Sequence, residues 1–312
     1  MRIVRKIAKK IYHVINALIR RGRWFNEVKF PDCRKFWNYN TFNTEVVNLG
    51  STSGLNAFNY EGLPVKGANW ALRRNPLSAD FAILKNYESY LCPTKCTCII
   101  PLCPFSSLSG SYDFQEDRYY TLLYPTSIPN FSYRKQQEVK SVMNGPLFHY
   151  PLLSVLTDFI AILKRKINRT LSEEKLQQDA NRWMCDWLKE FSINDFNKPL
   201  SLLNKDAIDD AANLLNGMVL FCKERNIRPA IVIPPMYYTL ANKFTPTVRK
   251  VVIDSMLDKL LDKDVFYYNY MDDAAFTNDA TLFQNSFLMN EKGAKLFTKR
   301  VLKDLNITDC TI

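Results

Sequence analysis

The chain has 312 residues, 47% of them apolar and 13% aromatic. That is enough for one large α/β domain or two smaller ones, and too much for extensive disorder. The net charge of +11 sits at one end: eleven of the 42 Lys and Arg, but only two of the 31 acids, lie in residues 1–35. The rest of the chain is nearly neutral, which argues against a nucleic-acid groove across the main body.

In the first 25 residues Ile3, Val4, Ile7, Ala8, Ile11, Tyr12, Val14, Ile15, Leu18 and Ile19 recur with helical period. Lys and Arg fill much of the opposite face and both ends. The spacing predicts a basic amphipathic helix over 1–25. Its longest uncharged stretch, Ile11–Ile19, is about half of a membrane span, and no small-residue cleavage site follows. A helix lying on an anionic membrane surface fits this pattern. A helix packed on the protein itself or on a partner is the alternative. On the membrane reading the body is cytoplasmic, peripheral at the inner face of the cell membrane. No nucleic-acid partner is expected, because no fold motif for that role accompanies the charge.

Residues 26–43 read as a linker. Short apolar runs predict strands at Glu45–Leu49, Thr97–Leu102, Pro229–Ile233 and Val265–Tyr270, the first three ending at Gly50, Pro101 to Pro104 and Pro234-Pro235. Helices are predicted between and after them: Pro76–Tyr90 with Ser78 as its cap, Asp206–Asn226 with acids in its first turn, Thr247–Leu261 and Glu291–Leu305. Strands alternating with such helices indicate a parallel sheet covered on both faces, over residues 44–312. Residues 106–200 interrupt the alternation. They open as an aromatic loop with Tyr112, Phe114, Tyr119, Tyr120 and Tyr124, then turn helical over Leu153–Lys166 and Glu173–Phe191. An insertion over the carboxyl edge of the sheet and an ordinary helical extension both fit.

The eight cysteines read as free thiols in a reducing compartment. Cys92-Pro-Thr-Lys-Cys96 has zinc-like spacing, but no second pair matches it and the chain has only His13 and His149, so neither metal nor cofactor is expected. Sequons at Asn130, Asn168 and Asn306 carry no weight without a secretion signal.

The segment with most chemical content is Glu45-Val-Val-Asn-Leu-Gly-Ser-Thr-Ser-Gly54. An apolar run ends in a glycine, three hydroxyl side chains and another glycine, which is how an α/β enzyme presents a nucleophile at the end of its first strand. A tight strand-to-helix turn with Ser or Thr as helix cap is the structural alternative.

Three segments resemble the SGNH (GDSL-like) hydrolase superfamily, and within it proteins encoded with bacterial surface-polysaccharide assembly genes. They are Asn48-Leu-Gly-Ser-Thr-Ser-Gly54, then Gly67-Ala-Asn-Trp-Ala71 with Asp80–Leu91 and Ile99–Ser106, and finally Asn290-Glu-Lys-Gly-Ala294. The resemblance spans about residues 44–305. It implies a three-layer α/β/α, flavodoxin-like (SGNH-type) parallel sheet with a helical insertion. It also implies a nucleophile at Thr52, flanked by Ser51 and Ser53, and oxyanion donors at Gly67 and Asn69. The family's Asp and His then fall on Asn285 and Leu288, which can neither orient nor act as a base. His149 is the remaining candidate base.

Two readings follow from that resemblance. The first is an ester hydrolase or O-acyltransferase acting on a surface glycan or an acylated glycan precursor, with a catalytic triad that is impaired. The second is a non-catalytic binding or scaffold protein of the polysaccharide machinery, with Tyr112, Tyr119, Tyr120 and Tyr124 as candidate sugar-stacking residues.

Overall fold

A computed structural model describes residues 2–109, 114–151, 153–155 and 171–307. Tyr112, Asn168, Cys310 and most of the helix predicted over Leu153–Lys166 lie outside them. Helices of six or more residues are, in chain order, α1 (Arg2–Ile19), α2 (Thr52–Ala57), α3 (Leu77–Asn86), α4 (Tyr133–Asn144), α5 (Glu173–Glu190), α6 (Leu202–Glu224) and α7 (Glu291–Asp304). The strands are β1 (Val46–Asn48), β2 (Gly67–Asn69), β3 (Cys96–Pro101), β4 (Ile227–Ile233) and β5 (Phe266–Asn269).

The chain forms two compact units, Met1–Asn40 with Asp113–Ile167 and Thr41–Tyr112 with Asn168–Ile312. The expected insertion over 106–200 is therefore shared between them. In the first unit α1 is held through its inner face. Asn16 is 1% exposed, and its Oδ1 accepts the Leu147 N–H at 2.9 Å. Arg20 donates to the carbonyls of Met143 and Asn144 at 2.9 and 3.0 Å, reaching the end of α4. The stretch expected as a linker carries a π-helical turn, Trp24–Lys29, and a short helix, Arg34–Trp37. Phe25, Phe30 and Trp37 close into a ring cluster with centroids 4.9 to 5.7 Å apart, and Phe30 is fully buried.

The second unit is an α/β domain on a five-stranded sheet. Its order is β2-β1-β3-β4-β5, with every pair parallel. β1 and β3 are buried along their whole length, as strands covered on both faces must be. This is the flavodoxin-like order, in which the chain winds outward in both directions from β1 and β3. The register pairs Val46 with Thr97 and Ile99 with Ala230, so the strands end close together and set Gly50, Leu102 and Pro234 along one edge. The core under α7 is aromatic: Phe297, with no exposure, meets the rings of Phe58, Tyr270 and Phe276 at 5.2 to 5.5 Å.

Local details depart from the sequence expectation. The N-cap of α3 is Pro76 rather than Ser78: the helix begins at Leu77 after an extended Pro76, which already fixes the backbone for entry. Helix α6 starts at Leu202 with Ser201 Oγ accepting the Asn204 N–H, so the acids from Asp206 onward lie beyond the first turn. The helix predicted over 247–261 is broken into Pro246–Arg249, a π-helical turn Lys250–Asp254 and Ser255–Leu257. The seven described cysteines are unpaired. No described helix is long and apolar enough to cross a membrane, and no described His, Cys, Asp and Glu cluster could hold a metal ion.

Candidate functional site

The hydroxyl turn is built where β1 stops. Gly50 sits at φ 112°, a left-handed conformation open to glycine, and turns the chain out of the sheet. Its N–H donates to Asp80 Oδ1 at 3.0 Å, and Asn75 Nδ2 donates to the same oxygen at 2.5 Å. Asp80 is 1% exposed, so a buried carboxylate from α3 pins the turn. Pro101, the last residue of β3, packs against it. A Cβ on Gly50 would lie 3.3 Å from the Pro101 ring, and a Cβ on Gly54 would come within 2.8 Å of the Leu49 carbonyl. Both glycines are thus required by close packing at the point where the sheet changes direction.

The three hydroxyls are used differently. Ser51 is the N-cap of α2, and its Oγ accepts the Thr52 N–H at 2.6 Å. Thr52 Oγ1 accepts the Arg74 N–H at 3.1 Å. Ser53 is 5% exposed, and its Oγ has no hydrogen-bond partner among the described residues. No described carboxylate or imidazole bonds to any of the three.

The residues expected as oxyanion donors are occupied by structure. Asn69 Nδ2 donates to the carbonyls of Leu55 and Phe58 at 3.1 and 2.9 Å and so closes the end of α2. Asn69 Oδ1 accepts from Asn48 Nδ2 and from the Ala71 N–H. The Gly67 N–H donates to the Val65 carbonyl at 3.0 Å, and a Cβ on Gly67 would sit 2.2 Å from the Tyr60 ring. Gly67 is there for the close approach of Tyr60. The Asn69 side-chain amide and the Gly67 N–H are thus both spent within the fold rather than held for a developing negative charge.

The C-terminal loop is equally committed. Asn285 Oδ1 accepts the N–H groups of Phe287 and Leu288 at 3.0 and 2.8 Å, a turn closed by its own side chain. Ser286 is fully buried, and both its N–H and its Oγ donate to Asp179 Oδ2 on α5, at 3.0 and 2.7 Å. Its carbonyl accepts the Tyr237 N–H at 2.9 Å. The Tyr237 hydroxyl donates to Glu173 at 2.6 Å and Tyr238 donates to the other carboxylate oxygen; these two donors hold the Glu173 carboxyl below its ordinary range. Gln284 Nε2 donates to Asn56 Oδ1 at 2.8 Å and ties the loop to α2.

Between turn and loop lies a shallow, tightly packed depression, too narrow in this structure to admit a water-sized group. Its lining is Ser53 and Ala57 from α2, Leu102 and Pro104 after β3, Pro234, Pro235 and Met236 after β4, and Phe287 and Met289 from the loop. The fold therefore brings Ser53 together with the neighbours of Leu288, at the carboxyl edge where open α/β sheets bind ligands. Ser51, Thr52, Asn285, Leu288, Gly67 and Asn69 do not line it. The lining contains no ionisable group and one hydroxyl.

His149 belongs to the first unit, where its Nε2 lies 2.9 Å from Ser141 Oγ. Tyr119 is fully buried, and Tyr120 is 7% exposed with its hydroxyl accepting the Ser132 N–H, so both are packing residues rather than sugar platforms. Tyr124 is 65% exposed. Sequence reasoning missed Asp80, Asn75 and Asp179, which hold turn and loop in place. It took Pro234-Pro235 only as the end of a strand, although a break at a strand's carboxyl end is itself a signal for the ligand edge.

The second unit is thus a doubly wound parallel α/β domain with a shallow depression beside its switch point. No family model matches this sequence, and no curated protein matches it.

Proposed function

We propose that this chain acts by binding rather than by turnover, as a non-catalytic protein of SGNH-like architecture that takes a glycan or an acylated glycan precursor in surface-polysaccharide assembly. One observation carries the non-catalytic reading. Ser53, the one hydroxyl residue in the lining of the depression, has its Oγ buried and without a hydrogen-bond partner, and so without a base, among the described residues. A serine hydroxyl without a base is a weak nucleophile at neutral pH. The residues that align with the family's acid and base support the same reading, since Asn285 is spent on its own turn and Leu288 cannot take a proton. The polysaccharide setting is supported by the three segments that resemble the family.

A second reading, ester hydrolysis or O-acyl transfer, is favoured by the same unpartnered Ser53 hydroxyl. Hydrolysis of a small chromogenic acetyl ester separates the two. The full chain and its Ser51→Ala, Thr52→Ala and Ser53→Ala variants are expected to give equal, near-background rates. Ser53→Ala is also expected to fold at least as well as the parent, because it removes a buried hydroxyl that has no partner. A drop of about a hundredfold or more in any one variant would assign a nucleophile and overturn the binding reading.

A further inference from the structure

One face of α1 is left largely uncovered by the described residues of its own unit. Val4, Ile7, Ile11, Val14 and Leu18 follow one another at alternating steps of three and four residues, which places them in a single stripe. All five are between 53% and 70% exposed. The helix is fixed through a different face. Asn16 and Ile19 are buried, Asn16 accepts the Leu147 N–H, and Arg20 reaches the carbonyls of Met143 and Asn144. Rotating the stripe inward would break each of these bonds, so the packing that orders α1 also turns the stripe outward.

The charge around the stripe selects what covers it. Arg5, Lys6, Lys9 and Lys10 are all exposed, and residues 1–26 contain no Asp or Glu. Lys6 and Lys10 border the stripe on one side, and two copies of α1 laid seam to seam would bring together helices that carry only positive charge, which opposes pairing. A surface that is apolar beneath and negatively charged above satisfies stripe and flanks at once. The uncharged stretch is too short to span a bilayer, and no described helix qualifies as a span. We propose that α1 docks flat on an anionic lipid bilayer. Val4, Ile7, Ile11, Val14 and Leu18 enter the acyl boundary while Lys6 and Lys10 meet the headgroups.

The test is sedimentation of the full chain with vesicles of phosphatidylcholine alone or mixed with phosphatidylglycerol. Strong binding to the mixed vesicles, weak binding to the neutral ones, and loss of binding as salt rises are expected. The Ile7→Gln/Ile11→Gln/Leu18→Gln variant changes only exposed positions. It is expected to keep the parent's circular dichroism and melting temperature and to bind on the order of a hundredfold more weakly. Lys6→Glu/Lys10→Glu is expected to lose the preference for phosphatidylglycerol. Failure of the parent to bind mixed vesicles, or binding that survives the triple substitution, overturns the proposal. Dimerisation abolished by the triple substitution, without vesicle binding, would instead assign the stripe to a second copy.

Discussion

Gly293→Ala is expected to destabilise the α/β unit by about 1–2 kcal/mol, although alanine is by far the better helix former. Propensity alone would favour the change by roughly 1 kcal/mol. The surroundings decide otherwise. A Cβ at this position would lie 2.2 Å from the carbonyl oxygen of Leu282 and 3.0 Å from its carbonyl carbon. Leu282 has little freedom to yield, since it is 3% exposed and its carbonyl accepts the Asn290 N–H at 2.9 Å. Asn290 is in turn the N-cap of α7, its Oδ1 accepting the Gly293 N–H at 3.1 Å. Overpacking of a site that cannot move costs about 1–3 kcal/mol and sometimes more, which exceeds the propensity gain. Urea unfolding measures the difference. Neutral or improved stability would show that α7 is not seated on Leu282. The Asn-Glu-Lys-Gly-Ala segment is therefore a seating device for the last helix, and its likeness to a catalytic block needs no catalysis to explain it.

Asp80→Ala is expected to cost about 3 kcal/mol, the scale for removing one member of a buried, charge-assisted hydrogen-bond set. It would take the charged acceptor away from the Gly50 N–H and the Asn75 amide in a site with almost no water access. Asp80→Asn keeps an acceptor for the Gly50 N–H and is expected to lose distinctly less. Equal losses in both variants would place the effect in the charge rather than in the acceptor that holds the turn.

The fold was legible where side-chain pattern and burial agree. Glu45–Leu49, Thr97–Leu102, Pro229–Ile233 and Val265–Tyr270 overlap the observed β1, β3, β4 and β5 because each is a compact apolar or aromatic run. Strand β2 was invisible as a strand. Gly67-Ala-Asn69 is three residues long and half-buried, and it pairs with β1 through its backbone, which pattern does not report. Helix starts failed for a related reason. Leu202 and Leu203 are 77% and 78% exposed, so the first turn of α6 offers no amphipathic signal, and the acids that follow draw the eye instead.

The site was legible in outline only. Sequence places a hydroxyl turn after β1 and a base-less loop before α7, and the fold sets Ser53 and the loop residues Phe287 and Met289 around one depression. Which of the three adjacent hydroxyl residues lines that depression depends on helix phase. Thr52 opens α2 and bonds back to Arg74, whereas Ser53 turns inward. Asn69 and Gly67 have the right residue types for an oxyanion hole, but hydrogen-bond partners and a tyrosine ring distant in sequence have claimed them.

The most direct test is covalent. The full chain, treated with a fluorophosphonate that phosphonylates activated serine and threonine hydroxyls with loss of fluoride, would be digested and read by mass spectrometry. The peptide carrying Ser51, Thr52 and Ser53 is expected to stay unmodified, because no described base bonds to any of the three. Adduct on one of them, formed faster than on exposed serines elsewhere and abolished by its alanine variant, would contradict a non-catalytic cleft.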